Sequence, residues 1–392
     1  MHHSPFIRLA AAAAFFVAFG GAQAQAPVSI GFITTLSTPA GYIGQDERDG
    51  FQLAVDEGGG KLGGIPVKLV VEDDALKPGN AKQSADKMLQ DGIRLFTGIN
   101  FSNVLMAVAP SVLQAGGTYV SLNAGPSGYA GKMCHPGYFD AAFQNDSFSD
   151  TPGMAANDLG YKKMVILAPN YQAGRDALAG FKRVYKGEVL AEMYTKLDQT
   201  DFSVELARIR SLAPDAVFQF HPGGAGINLA KQYANAGLAD KIPMITPVYS
   251  IDRRMLEAVG AAGKGYYVSA LWSADLDNPA NKHFVEAFQK TFKRQPTDYA
   301  AQAYDTARLI GSALKATGGD VTAKVDAFRA ALRQADFETV RGQFKFGPNQ
   351  HPIQNWYLLR VEQGADGKLD YKTIRTIAKD HTDVYAGECK MQ

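Results

Sequence analysis

Polar residues whose side chains could bind or react lie close together in the stretch TGINFSNVLMAVAP, residues 97–110. Asn100, Ser102 and Asn103 lie there between an apolar run and a helical pattern, with Phe101 among them. Two interpretations are open. Ser102 or Asn103 could cap the following helix, as such residues commonly do. Alternatively the loop binds a ligand, because Phe101 is a large apolar side chain in a polar loop and its ring could cover something flat.

Aromatic and amphipathic side chains recur in other loops that follow predicted strands: Tyr42, Tyr171, His221 and Tyr249. In an open parallel sheet the carboxyl ends of the strands meet at one edge, where free helix N–H groups favour anions. Each of these residues alone is more often surface packing than a ligand contact. Their recurrence in both halves of the chain predicts a cleft.

Motifs for catalysis are missing from the sequence. It contains no GxSxG elbow, HExxH helix, Walker lysine motif or GxGxxG after a strand. HPGGAG, residues 221–226, is interpreted as a turn into a helix, and the adjacent pair Asp73 and Asp74 more often faces solvent than binds a metal. We therefore expect no enzyme, no cofactor and no metal, with a secreted α/β enzyme as the weakest alternative.

Residues 1–24 have the features of a secretory signal peptide: a short polar start, an apolar run and a small-residue cleavage site. Cleavage after Ala24 is favoured over cleavage after Ala26, because the latter leaves Pro27 at the new N-terminus. The cut removes one of the 40 basic residues and none of the 39 acidic ones. A neutral mature chain without a basic cluster argues against nucleic acid as a partner.

The chain has two cysteines, Cys134 and Cys389. Export to an oxidising compartment permits a disulfide between them, which would tether the C-terminal tail and close a long loop. The chain-entropy relation gives such a bridge roughly 5 kcal/mol of stabilisation. Two free thiols are the alternative, and no metal-binding cysteine spacing is present.

Short β-branched runs alternate with helical patterns in two successive series, each about a hundred residues long. This predicts an α/β fold with two doubly wound parallel-sheet lobes, and a single barrel is the alternative. A long helix ends at Gly318 and Gly319, and a hairpin is predicted around residues 347–349. No low-complexity linker separates the lobes, so the chain is expected to cross between them several times.

The mature chain resembles the substrate-binding proteins of ABC importers, in the periplasmic type I group typified by the leucine/isoleucine/valine-binding protein. The resemblance covers nearly all of residues 27–390. It is carried by residues 29–89, which begin SIGFITTLSTPAGYIGQDERDGFQLAVDEGGGKLGG, and by the later segments YDTARLIGSAL and RGQFKFGPNQHPIQNWYLLRV.

The resemblance implies a periplasmic monomer that closes on a small molecule and delivers it to ABC permease subunits in the inner membrane. Its lobes would be joined by a three-crossing hinge. Lobe 1 would contain residues 27–143 and about 273–345, and lobe 2 would contain residues 144–272 and about 346–392.

The resemblance also implies site residues. The loops that hold a ligand carboxylate in amino-acid binders correspond to residues 100–103 and 121–125, which include Asn123, Ala124 and Gly125. The second-lobe tyrosine of the family corresponds to Tyr171, and an aspartate just after the hinge corresponds to Asp146.

One departure from the family concerns the acidic residue that pairs with an α-ammonium group. It falls at residues 246–249, where this chain has Thr246 and Tyr249 but no carboxylate. Holding an unpaired ammonium in a desolvated cleft costs several kcal/mol. An α-amino acid is therefore disfavoured unless Asp146 or Asp252 substitutes.

The sequence thus predicts a binding protein for a small aromatic carboxylate of the benzoate or hydroxycinnamate type. The start of the helix at residues 102–105 would receive the carboxylate, aromatic residues would enclose the ring, and His221 or Gln45 would bond a ring substituent. A branched-chain or other amino-acid binder and a ligand-presenting sensor for a membrane receptor are the alternatives.

Overall fold

The computed structural model describes residues 1, 2, 26–364 and 367–391. Apart from residues 1 and 2, the predicted signal peptide and its cleavage site after Ala24 lie outside these described residues. Within them, none of the helices combines the length and the apolar character needed to cross a membrane.

Lobe 1 is built on a mostly parallel six-stranded sheet, in which only the short second strand runs antiparallel to its neighbour. Its strands are β1 (Val28–Thr34), β2 (Lys61–Leu62), β3 (Ile65–Asp73), β4 (Leu95–Thr97), β5 (Thr118–Ser121) and β6 (Tyr138–Asp140). Their order across the sheet is β2-β3-β1-β4-β5-β6. The winding direction reverses between β1 and β4, which makes that point a crevice at the carboxyl edge of the sheet.

Lobe 2 is built on an eight-stranded sheet. Its strands are β7 (Lys163–Pro169), β8 (Glu188–Thr195), β9 (Ala216–Gln219), β10 (Met244–Pro247), β11 (Tyr267–Ala270), β12 (Phe344–Phe346), β13 (Pro352–Gln363) and β14 (Leu369–His381). The parallel part has the order β8-β7-β9-β10-β11, which repeats the winding of lobe 1 with its reversal between β7 and β9. Two separate open sheets confirm the doubly wound prediction, and the barrel alternative is wrong.

The predicted hairpin is also confirmed, because β12 and β13 pair antiparallel around residues 347–351. β14 then pairs antiparallel with β13 as an added strand. No sequence pattern predicted β14 or the short β6.

Twelve α-helices cover the two sheets within the described residues. They are α1 (Gly41–Glu57), α2 (Pro78–Gln90), α3 (Ser102–Gln114), α4 (Ser127–Ala130), α5 (Ser147–Asp158), α6 (Gln172–Val184), α7 (Ser203–Leu212), α8 (Gly224–Asn235), α9 (Arg253–Val259), α10 (Pro279–Phe292), α11 (Asp298–Thr317) and α12 (Val325–Gln334).

Helix α11 returns to lobe 1 and packs along α1. The side chain of Thr297 caps its start by accepting from the Ala300 N–H, and Gly318 ends it with a φ of 67°. This φ lies in the left-handed region that glycine adopts without strain, so the predicted stop is confirmed.

The chain passes between the sheets three times, through residues 141–146, 271–278 and 335–343. The buried Arg341 fastens the third crossing to the first by donating to the backbone carbonyl oxygens of Ala141 and Ala142, at 2.8 and 3.3 Å. It also pairs with Asp305 on α11 at 2.8 Å. In the second crossing, the Trp272 indole donates to the Asn281 side chain on α10 at 2.6 Å. The three-crossing hinge is confirmed; the residue boundaries given for the lobes stay a prediction.

Cys134 and Cys389 are bonded as a disulfide, with 5.6 Å between their Cα atoms. Cys134 follows α4 in lobe 1, whereas Cys389 lies in the tail that leaves β14 in lobe 2. The bridge is therefore a covalent link between the lobes in addition to the three crossings.

Candidate functional site

A cavity lies between the lobes, where the loops after β4, β5, β7, β9 and β10 meet. It is narrow, with a volume of about 20 Å³, which is room for about one water molecule. A larger ligand is therefore admitted only when the lobes separate, and the walls must move outward around it. The residues that line the cavity are Ile43, Asn100, Phe101, Ser102, Asn123, Ala124, Phe143, Asn145, Phe148, Tyr171, Ala173, Phe220, Pro222, Tyr249 and Tyr299.

The N-terminus of α3 forms the lobe 1 side of the cavity. Gly98 turns the chain there with a φ of 105°, and a Cβ at this position would lie 2.8 Å from the Ile33 carbonyl oxygen. Phe101 then precedes the helix, and no side chain caps it. The capping interpretation of Ser102 and Asn103 is thus wrong. Ser102 is instead the first helical residue, and the orphan N–H groups of an uncapped helix start attract anions.

A second helix begins at the same cavity from lobe 2. Tyr171 precedes α6, no side chain caps the helix, and its second residue, Ala173, lines the cavity. Because α3 and α6 contact each other, two positive helix ends approach one small volume. Such an arrangement stabilises a negative charge without any cationic side chain.

Seven aromatic rings surround the cavity. Phe101 of lobe 1 and Tyr171 of lobe 2 have ring centroids 6.3 Å apart, and Tyr171 stacks on Phe220 at the same distance. Tyr249 lies 4.5 Å from Phe143 and 5.6 Å from Phe148 and Tyr299. These separations are typical of packed aromatic pairs, so a planar apolar group would meet ring faces and edges on several sides.

The polar groups at the cavity are neutral. Asn145 donates to the Ser102 hydroxyl oxygen at 3.0 Å and to the Asp176 carboxylate at 3.0 Å. The hydroxyl proton of Ser102 is therefore left to be donated elsewhere. Both side-chain polar atoms of the buried Asn100 lack a protein partner, although buried amides are normally hydrogen-bonded. Asn100 and Ser102 are thus prepared to bond a polar ligand group.

Acidic side chains stay behind the cavity wall and do not line it. Asn123 donates to Glu47 at 2.7 Å, and burial raises the pKa of Glu47 well above its usual value. Burial likewise raises the pKa of Asp176. The cavity therefore presents no carboxylate to a ligand.

Half of the predicted site residues line the cavity and half do not. Those that line it are Asn100, Phe101, Ser102, Asn123, Ala124, Tyr171 and Tyr249. Those that do not are Tyr42, Gln45, Asn103, Gly125, Asp146, His221 and Thr246.

Several residues of the second group have protein partners instead. The fully buried His221 lies between the Thr195 hydroxyl, at 2.9 Å, and Gln219 Oε1, at 3.0 Å. Burial lowers the pKa of His221 to about 3, so its ring is neutral. The Thr246 hydroxyl donates to the Gln219 carbonyl oxygen at 2.8 Å. These side chains lie behind the wall of the cavity.

The two acidic residues that could replace the family's partner for a ligand ammonium group also have hydrogen-bond partners within the protein. Asp146 accepts from Arg183 at 2.7 Å and from the Tyr385 hydroxyl at 2.6 Å. Asp252 caps α9 and accepts from the Tyr42 hydroxyl. Neither carboxylate lines the cavity.

Lining residues on the first crossing and on α11 were not predicted from the sequence. Phe143, Asn145 and Phe148 come from the crossing and the start of α5, and Tyr299 lies in the first turn of α11. The one feature of the sequence that could have indicated them is that Phe143 and Phe148 flank the polar run QND, residues 144–146. Phe220 and Pro222 line the cavity on either side of His221 in the sequence. The loop was therefore predicted correctly, but the side chain predicted from it was not a lining residue.

Within the described residues, no group of three or more His, Cys, Asp or Glu side chains is arranged to hold an ion.

The fold is that of a two-lobed, hinged binding protein, and the candidate cavity lies between the lobes. The chain belongs to the periplasmic binding protein family, whose model matches residues 27–368. A solved solute-binding protein of an ABC transporter from R. palustris, in complex with benzoate, is 32% identical, covers 93% of this chain and 100% of its own, and has a TM-score of 0.88. A second one from R. palustris, in complex with 4-hydroxybenzoate, is 29% identical with coverages of 92% and 99% and a TM-score of 0.84.

Among curated proteins, the Leu/Ile/Val-binding protein homolog 6 of Brucella melitensis is 29% identical over 95% of this chain and 97% of its own length. Family membership confirms the resemblance found in the sequence. The family consists of solute-binding transport proteins, and the ligands named for these relatives fall into two different classes.

Proposed function

We propose that this protein captures a small aromatic carboxylate, of the benzoate or hydroxycinnamate type, for an ABC uptake system. The observation that carries the proposal is the pairing of two uncapped helix N-termini with seven aromatic rings around a cavity that no charged side chain lines.

The carboxylate would bind at the start of α3. There it would accept from backbone N–H groups, from the free proton of the Ser102 hydroxyl and from the unpartnered amide of Asn100. Hydrogen bonds to a charged acceptor contribute about 1.5–3 kcal/mol each. The ring would lie between Phe101 and Tyr171, whose ring centroids are 6.3 Å apart across the cleft with an interplanar angle of 51°.

An α-amino acid fits the cavity less well because its ammonium group needs an anionic partner when it is desolvated. Asp146 and Asp252 are the candidates, and both are bonded to other side chains away from the cavity. The relatives bound to benzoate and 4-hydroxybenzoate support the aromatic class. Binding of leucine or isoleucine is kept as a second candidate because of the name of the Brucella relative.

The transport role implies a site of action and a partner. We propose that the chain works in the periplasm after export, as a monomer, and delivers its ligand to the permease subunits of an ABC importer. A ligand-presenting sensor is the alternative role; a neighbouring gene for a kinase instead of a permease would favour it.

A thermal-shift series on the refolded mature chain tests the ligand class. Benzoate, 4-hydroxybenzoate and 4-hydroxycinnamate are compared with leucine and isoleucine, and calorimetry measures each Kd. At a concentration of 100 Kd a ligand adds about 2.7 kcal/mol of stability, so a Tm increase of several degrees is expected for an aromatic acid. If only leucine or isoleucine raises the Tm, the aromatic proposal is wrong.

Two ligand analogues separate the contributions of charge and ring. Benzamide keeps the ring but lacks the negative charge, and cyclohexanecarboxylate keeps the charge but lacks the flat ring. We expect both to bind much more weakly than benzoate. If benzamide binds as tightly as benzoate, the helix N-termini do not contribute to binding through the ligand's negative charge.

A further inference from the structure

One short segment of lobe 2, residues 249–254, reaches across the cleft at three points. The Tyr42 hydroxyl of α1 donates to the Asp252 carboxylate. The Arg254 guanidinium pairs with Asp46 of α1 at 3.0 Å, and its centre lies 5.1 Å from the Tyr42 ring.

The third point is at the cavity itself. Gln302 of α11 donates to the Tyr249 hydroxyl at 2.6 Å. Tyr249 thus forms part of the cavity wall and is bonded to the opposite lobe at the same time. The other two contacts, between α1 and the Asp252–Arg254 region, lie outside the cavity lining.

The two carboxylates of these contacts, Asp46 in lobe 1 and Asp252 in lobe 2, are each positioned by hydrogen bonds within their own lobe. Asp46 also accepts from Thr297 at 2.9 Å and pairs with Arg294 at 2.8 Å, both on the lobe 1 side. In lobe 2, Asp252 Oδ1 accepts from two backbone N–H groups of α9, which leaves Oδ2 directed to Tyr42. These bonds fix the carboxylates before the lobes meet, so closure orders few additional side chains.

Burial makes these contacts stronger than ordinary surface pairs. Asp46 and Asp252 are both fully buried. Exposed ion pairs contribute at most about 1 kcal/mol, whereas a hydrogen bond that is shielded from water is electrostatically stronger. Separation of the lobes would break every one of these contacts.

We propose that Tyr42, Asp46, Asp252 and Arg254 form an interlobe latch that favours the closed state with or without ligand and prolongs the residence of the ligand. The latch acts from outside the cavity, so it sets affinity and dissociation rate but not the choice among ligands. The proposal rests on the hinged binding function of the protein, but it does not depend on the aromatic ligand class.

Small-angle X-ray scattering of the ligand-free mature chain tests the latch. The variant is Tyr42→Phe combined with Arg254→Gln, which removes both cross-cleft contacts of α1 but leaves Asp46 paired with Arg294. The matched control is Arg253→Gln, because Arg253 is the next residue on the same helix but pairs with Asp370 of β14 within lobe 2, at 2.6 Å.

The latch variant is expected to have a larger radius of gyration than the wild-type chain, and the control is expected to match the wild type. Calorimetry verifies that all three chains are folded. Equal radii for the wild type and the latch variant would overturn the proposal, as would an equal expansion in the control.

Ligand kinetics give a second test, with benzoate and 4-hydroxybenzoate as probes. Dissociation from the latch variant should be about tenfold faster, and the ratio of the two affinities should stay as in the wild type. A changed ratio would mean that these side chains contact the ligand, contrary to the proposal. If neither probe binds the wild type, the ligand class is wrong and the scattering result alone decides on the latch.

Discussion

The two walls of the cavity differ in chemistry. The lobe 1 wall contributes the polar side chains of Asn100, Ser102 and Asn123, next to the start of α3, together with the rings of Phe101 and Tyr299. The lobe 2 wall contributes rings, namely those of Phe148, Tyr171, Phe220 and Tyr249. We call these the polar wall and the ring wall. For the proposed aromatic carboxylate, this difference predicts that the charged end binds on lobe 1 and that lobe 2 closes over the apolar body.

The strongest way to break the polar wall is Ser102→Asp. A carboxylate at the first residue of α3 interacts favourably with the helix dipole, but it repels an anionic ligand. Two like charges about 4 Å apart repel by about 4 kcal/mol at a protein surface. We expect at least a 100-fold loss of affinity in calorimetry for an aromatic carboxylate.

Ser102→Ala is the matched control for that change. It removes one hydrogen bond and adds no charge, so the loss should be about tenfold. If Ser102→Asp weakens binding no more than Ser102→Ala does, the anion does not bind at the start of α3.

The ring wall is tested by Tyr171→Ala. Loss of a buried aromatic face costs about 2–3 kcal/mol, which corresponds to roughly 30- to 150-fold in Kd. Tyr171→Phe keeps the ring and should stay within about threefold of the wild type. Titration calorimetry with benzoate measures both. Equal losses for the two variants would assign the contribution to the hydroxyl group and not to the ring.

The pH dependence of binding tests the interlobe contact of Asp252, which lies outside both walls of the cavity. Burial, with a smaller contribution from the nearby Asp46, raises the pKa of Asp252 to about 7. In the open state the carboxyl would titrate near its ordinary value of about 4. Closure therefore takes up a proton between about pH 4 and pH 7, and this contribution is lost as the pH rises through 7.

We expect the affinity for benzoate to be up to about tenfold higher at pH 6 than at pH 8. The raised pKa values of Asp46 and Asp298 act in the same direction. Asp252→Asn keeps an acceptor for α9 and should flatten most of the profile. A wild-type affinity that is constant from pH 6 to pH 8 would contradict this prediction.

The smallest effect is expected behind the ring wall. His221→Gln removes a buried neutral ring that bonds Thr195 and Gln219. The Tm should fall, but the Kd should change by less than about twofold because the side chain does not line the cavity. A larger change in Kd would indicate that His221 contacts the ligand.

The fold could be predicted from the sequence because its signals are local. Alternating strand and helix patterns, a glycine stop at Gly318 and the turn at residues 347–349 each lie within one short window. β14 gave no such signal, since its residues are mostly half-exposed and pair with β13 across a hairpin of their own.

The site was predictable only in part. Phe101 and Tyr171 were found because each is an aromatic residue in a loop that follows a strand of a parallel sheet. Phe143 and Tyr299 were missed, since their position at the cavity depends on how the hinge folds one lobe onto the other. Tyr42 was assigned to the ligand because its sequence neighbourhood does not reveal that Asp252, 210 residues away, accepts from its hydroxyl.

The Trp272 indole in the second crossing gives the protein an optical reporter of its own. The chain has two tryptophans, and the other, Trp356, is buried in the sheet of lobe 2. Since Trp272 bonds Asn281 on α10, movement of the lobes changes the surroundings of the one fluorophore that lies in the hinge. With excitation selective for tryptophan, a Trp356→Phe chain would therefore emit from the hinge alone, so that opening and closing could be followed by stopped-flow fluorescence without any attached dye.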